Sequence, residues 1–109
     1  MSKIVVVGSI SMDLVMRTKR IPEGGETIFG DSFNIVPGGK GANQAVAVAK
    51  LGMETEMIGM VGKDSQGEKL IQNLVDNGVK ADNVIKSDEL TGRAIITVDK
   101  NGDNNIIVI

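Results

Sequence analysis

The chain has 109 residues, a net charge of −2 and 41% apolar residues, which fits one small packed domain. It has no cysteine and no histidine, so disulfides, thiolate chemistry, a histidine-based triad and a His/Cys zinc site are excluded. The acidic balance, with no Trp or Tyr, argues against a nucleic-acid or membrane partner.

Ile4 to Val7 is a continuous β-branched run stopped by Gly8, the pattern of a buried parallel strand. It is too short for a signal peptide or a membrane span, and a cytoplasmic protein is the default. Gly8-Ser9-Ile10-Ser11-Met12-Asp13 follows. Carboxyl ends of parallel strands are where open α/β sheets bind ligands. Asp13 offers two acceptor oxygens that suit neighbouring sugar hydroxyls, or it serves the turn as a capping carboxylate. Leu14 to Thr18 and Thr27 to Val36 are further strands, linked by the turn-rich Ile21-Pro22-Glu23-Gly24-Gly25-Glu26. In the second, Ile28, Gly30, Ser32 and Asn34 alternate with Phe29, Asp31, Phe33 and Ile35, as in a sheet with one wet face.

Pro37-Gly38-Gly39-Lys40-Gly41-Ala42-Asn43-Gln44-Ala45 is a glycine turn running straight into a helix. Without Cβ atoms, its backbone can come close to a ligand. The helix start turns unpaired N–H groups and a positive dipole end toward that gap, which suits anions or dense hydroxyl groups. Asn43 adds an amide that donates and accepts. Lys40 is either an anion contact or a lysine facing solvent. A phosphate-binding P-loop is excluded, because Lys40 is followed by Gly41 and not by Ser or Thr. A dinucleotide fingerprint is excluded as well, because the third glycine is missing.

Ala42 to Leu51 is a helix ended by Gly52. Glu56 to Val61 is a second core strand. Asp64 or Ser65 caps a helix over Gln66 to Asp76, with Leu70, Ile71, Leu74 and Val75 on one face. Gly78 ends it, and Val84 to Lys86 is a short strand. Asp88-Glu89 reads as a solvated loop, and the six methionines as core filler. Gly92 to Asp99 and Asn104 to Ile109 form a hairpin turning at Asn101-Gly102. Two kinds of strand are thus interleaved. One belongs to a helix-covered parallel sheet. The other, about 14–36 and 92–109, is an antiparallel layer suited to be a lid. The last residues lie inside an apolar strand, and the parallel strands are few, so the chain reads as the front part of a longer protein.

Taken together, these residues resemble the ribokinase-like (PfkB) carbohydrate kinases. The resemblance runs along the whole chain. It is carried by Val7-Gly8-Ser9 with Asp13, Pro22 with Gly25-Glu26-Thr27, and Gly38-Gly39-Lys40-Gly41-Ala42-Asn43-Gln44-Ala45. It continues through Leu51-Gly52, Gly59-Met60-Val61-Gly62-Lys63-Asp64 with Gly67, and Thr91-Gly92 with Ala94. The resemblance implies a Rossmann-like three-layer α/β/α sandwich with a small β-sheet lid. It implies transfer of the γ-phosphoryl of ATP to the 5-hydroxyl of D-ribose, with magnesium beside ATP and a potassium activator. It implies a sugar-binding segment made of Ser11, Asp13, Gly38, Gly39, Lys40 and Asn43, with Ala94 and Ile109 as lid residues that cap the sugar. It also implies a homodimer formed through the lid.

Two features depart from that pattern. The family usually has Asn two residues before the sugar-binding Asp, and Ser11 stands there; a related furanose or a nucleoside is the alternative acceptor. No Gly-Ala-Gly-Asp run occurs, so the family's catalytic base, ATP pocket and potassium site are not expected in this chain. It is expected to be inactive alone and to self-associate through Leu14, Met16, Ile28, Ile95 and Ile107. The alternatives are a non-catalytic sugar-binding or dimerisation module and, more weakly, a nucleotide-binding regulator.

Overall fold

The structure, a computed structural model, describes residues 2–109. In chain order its elements are β1 (Lys3–Val7), β2 (Ser11–Arg17), β3 (Ser32–Gly38), α1 (Lys40–Lys50), β4 (Glu54–Ile58), β5 (Met60–Gly62), α2 (Ser65–Asp76), β6 (Val79–Lys80), β7 (Ile85–Ser87), β8 (Arg93–Val98) and β9 (Asn104–Val108). The chain divides into two compact units. One comprises Met1–Met12 and Pro37–Gly92, the other Asp13–Val36 and Arg93–Ile109.

The first unit holds a three-stranded sheet in the order β1-β4-β6, with both pairs parallel. Helices α1 and α2 touch each other and share one core with Val6, Met57 and Val79. Ala42 and Ala45 of α1 meet Leu70 and Leu74 of α2 in that core, as the 3.6-residue period of both helices requires. Strand β1 was expected to be buried throughout. Instead its residues alternate, and Val5 and Val7 are exposed. On the Val5 side, in register, lies Glu56, which is buried and takes Lys3 at 3.7 Å and Asn83 Nδ2 at 3.3 Å.

The expected single strand over Glu56 to Val61 is two strands, β4 and β5, broken at Gly59. A Cβ there would stand 2.7 Å from the Gly8 carbonyl oxygen and 2.9 Å from Ile10 Cδ1. The break passes the chain from one sheet to another, because β5 pairs with β7 in a separate parallel ribbon. The short strand expected near Val84 is β7, so it belongs to that ribbon and not to the main sheet. The third strand of the main sheet is β6, whose two residues are too few to show a period.

Helix α1 begins two residues earlier than expected. Gly39 is its N-cap at φ 93, a conformation that glycine adopts without a steric penalty. Helix α2 is capped by Asp64, whose side chain accepts from the Gly67 N–H.

The second unit carries the bulk of a four-stranded sheet in the order β3-β2-β8-β9. Strands β8 and β9 are antiparallel, with Ala94 opposite Val108 and Ile95 opposite Ile107. Gly102, in the connecting turn, has φ 86. The strand expected over Thr27 to Val36 starts only at Ser32. The residues before it form a loop held by other means. Arg20 grips Glu26 through two hydrogen bonds of 2.6 Å, and Asp31 N–H donates to the Arg17 carbonyl at 2.7 Å. Gly30 lies against the Met16 sulfur, where a side chain would collide, and Phe29 is 99% exposed.

Candidate functional site

The first cluster of candidate residues surrounds the start of α1. Strand β1 ends at Val7, and Gly8-Ser9 turns directly over the helix N-terminus. A Cβ on Gly41 would stand 2.8 Å from Gly8 Cα, and one on Gly39 would stand 2.6 Å from the Ser9 carbonyl oxygen. These glycines therefore serve backbone-on-backbone packing within the protein. That is an intramolecular reason for a feature otherwise read as close approach to a ligand. Ser9, named from the sequence as part of the Val7-Gly8-Ser9 run but given no role there, binds the helix start through its backbone. Its carbonyl accepts the Ala42 N–H at 3.0 Å, while Asn43 N–H is taken by the Gly39 carbonyl at 2.9 Å.

Gly38 is buried and Gly39 is half-buried, while the side chains of Lys40 and Asn43 are exposed along the first turn of α1. No acidic residue stands in that turn, so the positive helix end is not offset by a side chain of its own. Ser11, half-buried, begins β2. A cleft of about 340 Å³ opens where β1 and β7 end, beside the start of β5, lined by Gly8, Ser9, Met60, Ser87, Glu89 and Gly92 among others. Glu89, expected to be a purely solvated loop residue, contributes to that lining. A larger hollow of about 570 Å³ lies beside the amino end of β4, among Ser2, Ala49, Gly52, Met53 and Glu54, and contains no candidate residue.

The second cluster lies in the other unit. Asp13, on β2, is half-buried, and burial pushes its carboxyl above the ordinary value of 3.8. No cation or hydrogen bond contributes to that shift, so desolvation alone disfavours its charged form. Ala94, opposite Val108, and Ile109, opposite Arg93, lie at one end of the β8–β9 hairpin, on alternate faces of the ribbon. Ile109 N–H donates to the Arg93 carbonyl at 2.8 Å, and Arg93 N–H donates back at 3.2 Å. Ala94 is buried and Ile109 is exposed. Of the eight candidates, then, Ser11, Gly38, Gly39, Lys40 and Asn43 fall in one unit, and Asp13, Ala94 and Ile109 in the other.

Among the described residues no group of three or more His, Asp or Glu side chains is placed to hold a metal ion. No described helix is long and apolar enough to cross a membrane.

A family model described as pfkB family carbohydrate kinase matches residues 1–109. The chain is 56% identical over 110 residues to a ribokinase of Lactococcus lactis subsp. lactis, covering 100% of this chain and 36% of that protein. A solved ribokinase of Cryptococcus neoformans var. grubii in complex with ADP superposes with a TM-score of 0.90 at 37% identity, covering 100% of this chain and 35% of that one. An Arabidopsis thaliana ribokinase complexed with ribose and ATP does so with a TM-score of 0.81 at 39% identity, covering 97% and 35%. These matches bear out the expected α/β architecture. The chain spans about a third of the length of the relatives it matches. It belongs to the pfkB family of carbohydrate kinases.

Proposed function

We propose that this chain is the sugar-binding part of a cytoplasmic, ATP-dependent kinase that phosphorylates D-ribose at O5. The observation that carries this reading is the run Gly38 to Asn43. It is seated at a helix start beside the carboxyl end of a parallel strand, in a chain 56% identical along its length to a protein named ribokinase. In this reading Asp13 accepts hydrogen bonds from two adjacent sugar hydroxyls, and Asn43 both donates and accepts. Gly38 and Gly39 present their backbone polar groups to the sugar, and Lys40 and Ser11 complete the polar rim. Ala94 and Ile109 cover an apolar edge of the sugar. The segments about 14–36 and 92–109 act as the lid.

Phosphoryl transfer requires nucleotide, metal and acceptor to be positioned together. The base, the ATP pocket and the magnesium and potassium sites are assigned to sequence beyond these 109 residues. The task of this chain is to bind and orient the acceptor hydroxyl. A homodimer through the second unit fits its exposed Ile95 and Ile107.

A chimera tests the reading. The matching third of the Lactococcus relative is replaced by this chain, and ADP release is followed with ribose, 2-deoxyribose, fructose and adenosine. The chimera should turn over ribose fastest, and the isolated chain should release no ADP. A preference for adenosine would move the protein to nucleosides. A folded chimera that phosphorylates nothing, with ribose still bound by the chain, would favour a non-catalytic module.

A further inference from the structure

We infer that Asp64 and Thr91 are positioning residues for sugar binding, a role that rests on the ribose-kinase reading above. A network of hydrogen bonds converges on this pair. Asp64 Oδ1 accepts from Gly67 N–H at 2.8 Å and from Thr91 Oγ1 at 2.6 Å. Asp64 Oδ2 accepts from Thr91 N–H at 2.9 Å. Thr91 Oγ1, which is buried, accepts in turn from Gly62 N–H at 2.9 Å. The threonine hydroxyl thus donates and accepts at once, and both carboxylate oxygens are engaged. The surrounding glycines close the knot. A Cβ on Gly62 would stand 2.6 Å from the Thr91 nitrogen, and one on Gly67 would strike the Gly62 carbonyl oxygen.

Capping α2 needs only one acceptor, which Ser, Thr or Asn would supply equally well. The two bonds to Thr91, 27 positions away, exceed what a cap requires. They fix the segment Thr91-Gly92. The Gly92 carbonyl then accepts the Met12 N–H at 2.9 Å. One carboxylate therefore anchors a point where two chain segments meet, and those segments continue directly into Asp13 on β2 and Ala94 on β8. Both are proposed sugar contacts, and sugar recognition is sensitive to ångström-scale displacement of such groups.

Asp64→Asn, Thr91→Val and Thr91→Ser are the test, measured in the chimera by steady-state kinetics and in this chain by amide hydrogen exchange. Thr91→Val keeps the shape and leaves Gly62 N–H without its partner, while Thr91→Ser keeps the hydroxyl. Asp64→Asn and Thr91→Val should raise the ribose KM by about tenfold or more, with kcat changed by less than about threefold. Thr91→Ser should stay within about twofold of the parent. The Met12 amide should exchange faster in Thr91→Val. A ribose KM unmoved in a folded Thr91→Val chimera would overturn the inference, as would a Thr91→Ser defect equal to that of valine. If the parent chimera does not phosphorylate ribose, the kinase reading fails. Met12 exchange in the chain then decides separately whether the Asp64–Thr91 knot reaches β2, and an unchanged rate overturns it.

Discussion

In the unit of Met1–Met12 and Pro37–Gly92, Met57, Val61, Leu70 and Leu74 are sealed from solvent. In the unit of Asp13–Val36 and Arg93–Ile109, large apolar side chains stand outside instead. Phe33, Ile35, Ile106, Ile107 and Val108 are each at least half exposed, and Ala94 is the buried hydrophobic residue there among the described ones. The first unit is held by a core, and the second by strand ladders, a hairpin turn and the Arg20–Glu26 pair. Core burial stabilises in proportion to the apolar area removed from water. An open sheet gains little of that and offers its apolar surface to whatever covers it. The unit with its own core contains the glycine-lined helix start. The other, proposed above as a lid and dimer surface, leaves Ile95, Ile106, Ile107 and Val108 exposed.

The largest effect is expected at Leu74, sealed in the core of the first unit. Leu74→Ala should destabilise the chain by about 2–5 kcal/mol in urea unfolding. Ile106→Ala, 55% exposed in the other unit and on the strand face away from Ile107, should shift it by no more than about 0.5 kcal/mol. Equal losses would erase the distinction. Gly41→Ala comes next. Its new Cβ meets the backbone of Gly8 and Ser9, which cannot yield as a flexible side chain would, so a loss of about 1–3 kcal/mol is expected. The same change should lower ribose binding in calorimetry, because the helix start moves with it.

Asp13→Asn sharpens the functional side. It should weaken ribose binding by about 1–3 kcal/mol. Its effect on stability runs the other way. The folded pKa of Asp13 lies above 3.8, so the folded state holds the proton more tightly than the unfolded one. That contribution is full below 3.8 and is lost as pH rises through the raised value. Asp13→Asn should remove this slope and gain less than about 1 kcal/mol at pH 7, since solvent screens a partly exposed group. Weaker binding together with unchanged or higher stability marks a binding residue. Unchanged ribose affinity would leave Asp13 a strand residue with no part in binding.

Ile107→Lys should turn a self-associating chain into a monomer in sedimentation velocity at micromolar concentration. A parent chain that is already monomeric would remove the dimer proposal. The smallest effect belongs to Glu26. Its carboxyl is held down to about 2, first by the hydrogen bonds from Arg20 and then by Glu23 N–H. The depressed value means that its stabilisation is present above the unfolded value of 4.5 and fades as pH falls toward 2. Glu26→Gln should flatten that acid limb, followed by the exchange of the Glu23 amide. The site is at the surface, and the change should be slight.

Local chemistry determined much of this protein. The β-branched run before Gly8, the apolar face of α2, the Asp64 cap and the Asn101-Gly102 hairpin are all short-range patterns, legible because each rests on a period or on a turn residue. The Gly38 to Asn43 run, with the matching segments before and after it, carried the family resemblance. Tertiary structure decided what depends on partners distant in sequence. Gly59 splits a strand because Gly8 and Ile10 occupy the space a side chain would need. Strand β7 joins β5 because pairing is chosen by long-range register, which two or three residues cannot encode. Gly41 proved to face Gly8, and Asp64 proved to hold Thr91 as well as its own helix. A sequence displays which residues permit a close approach or offer two acceptors. Only the folded chain selects the atoms that come close.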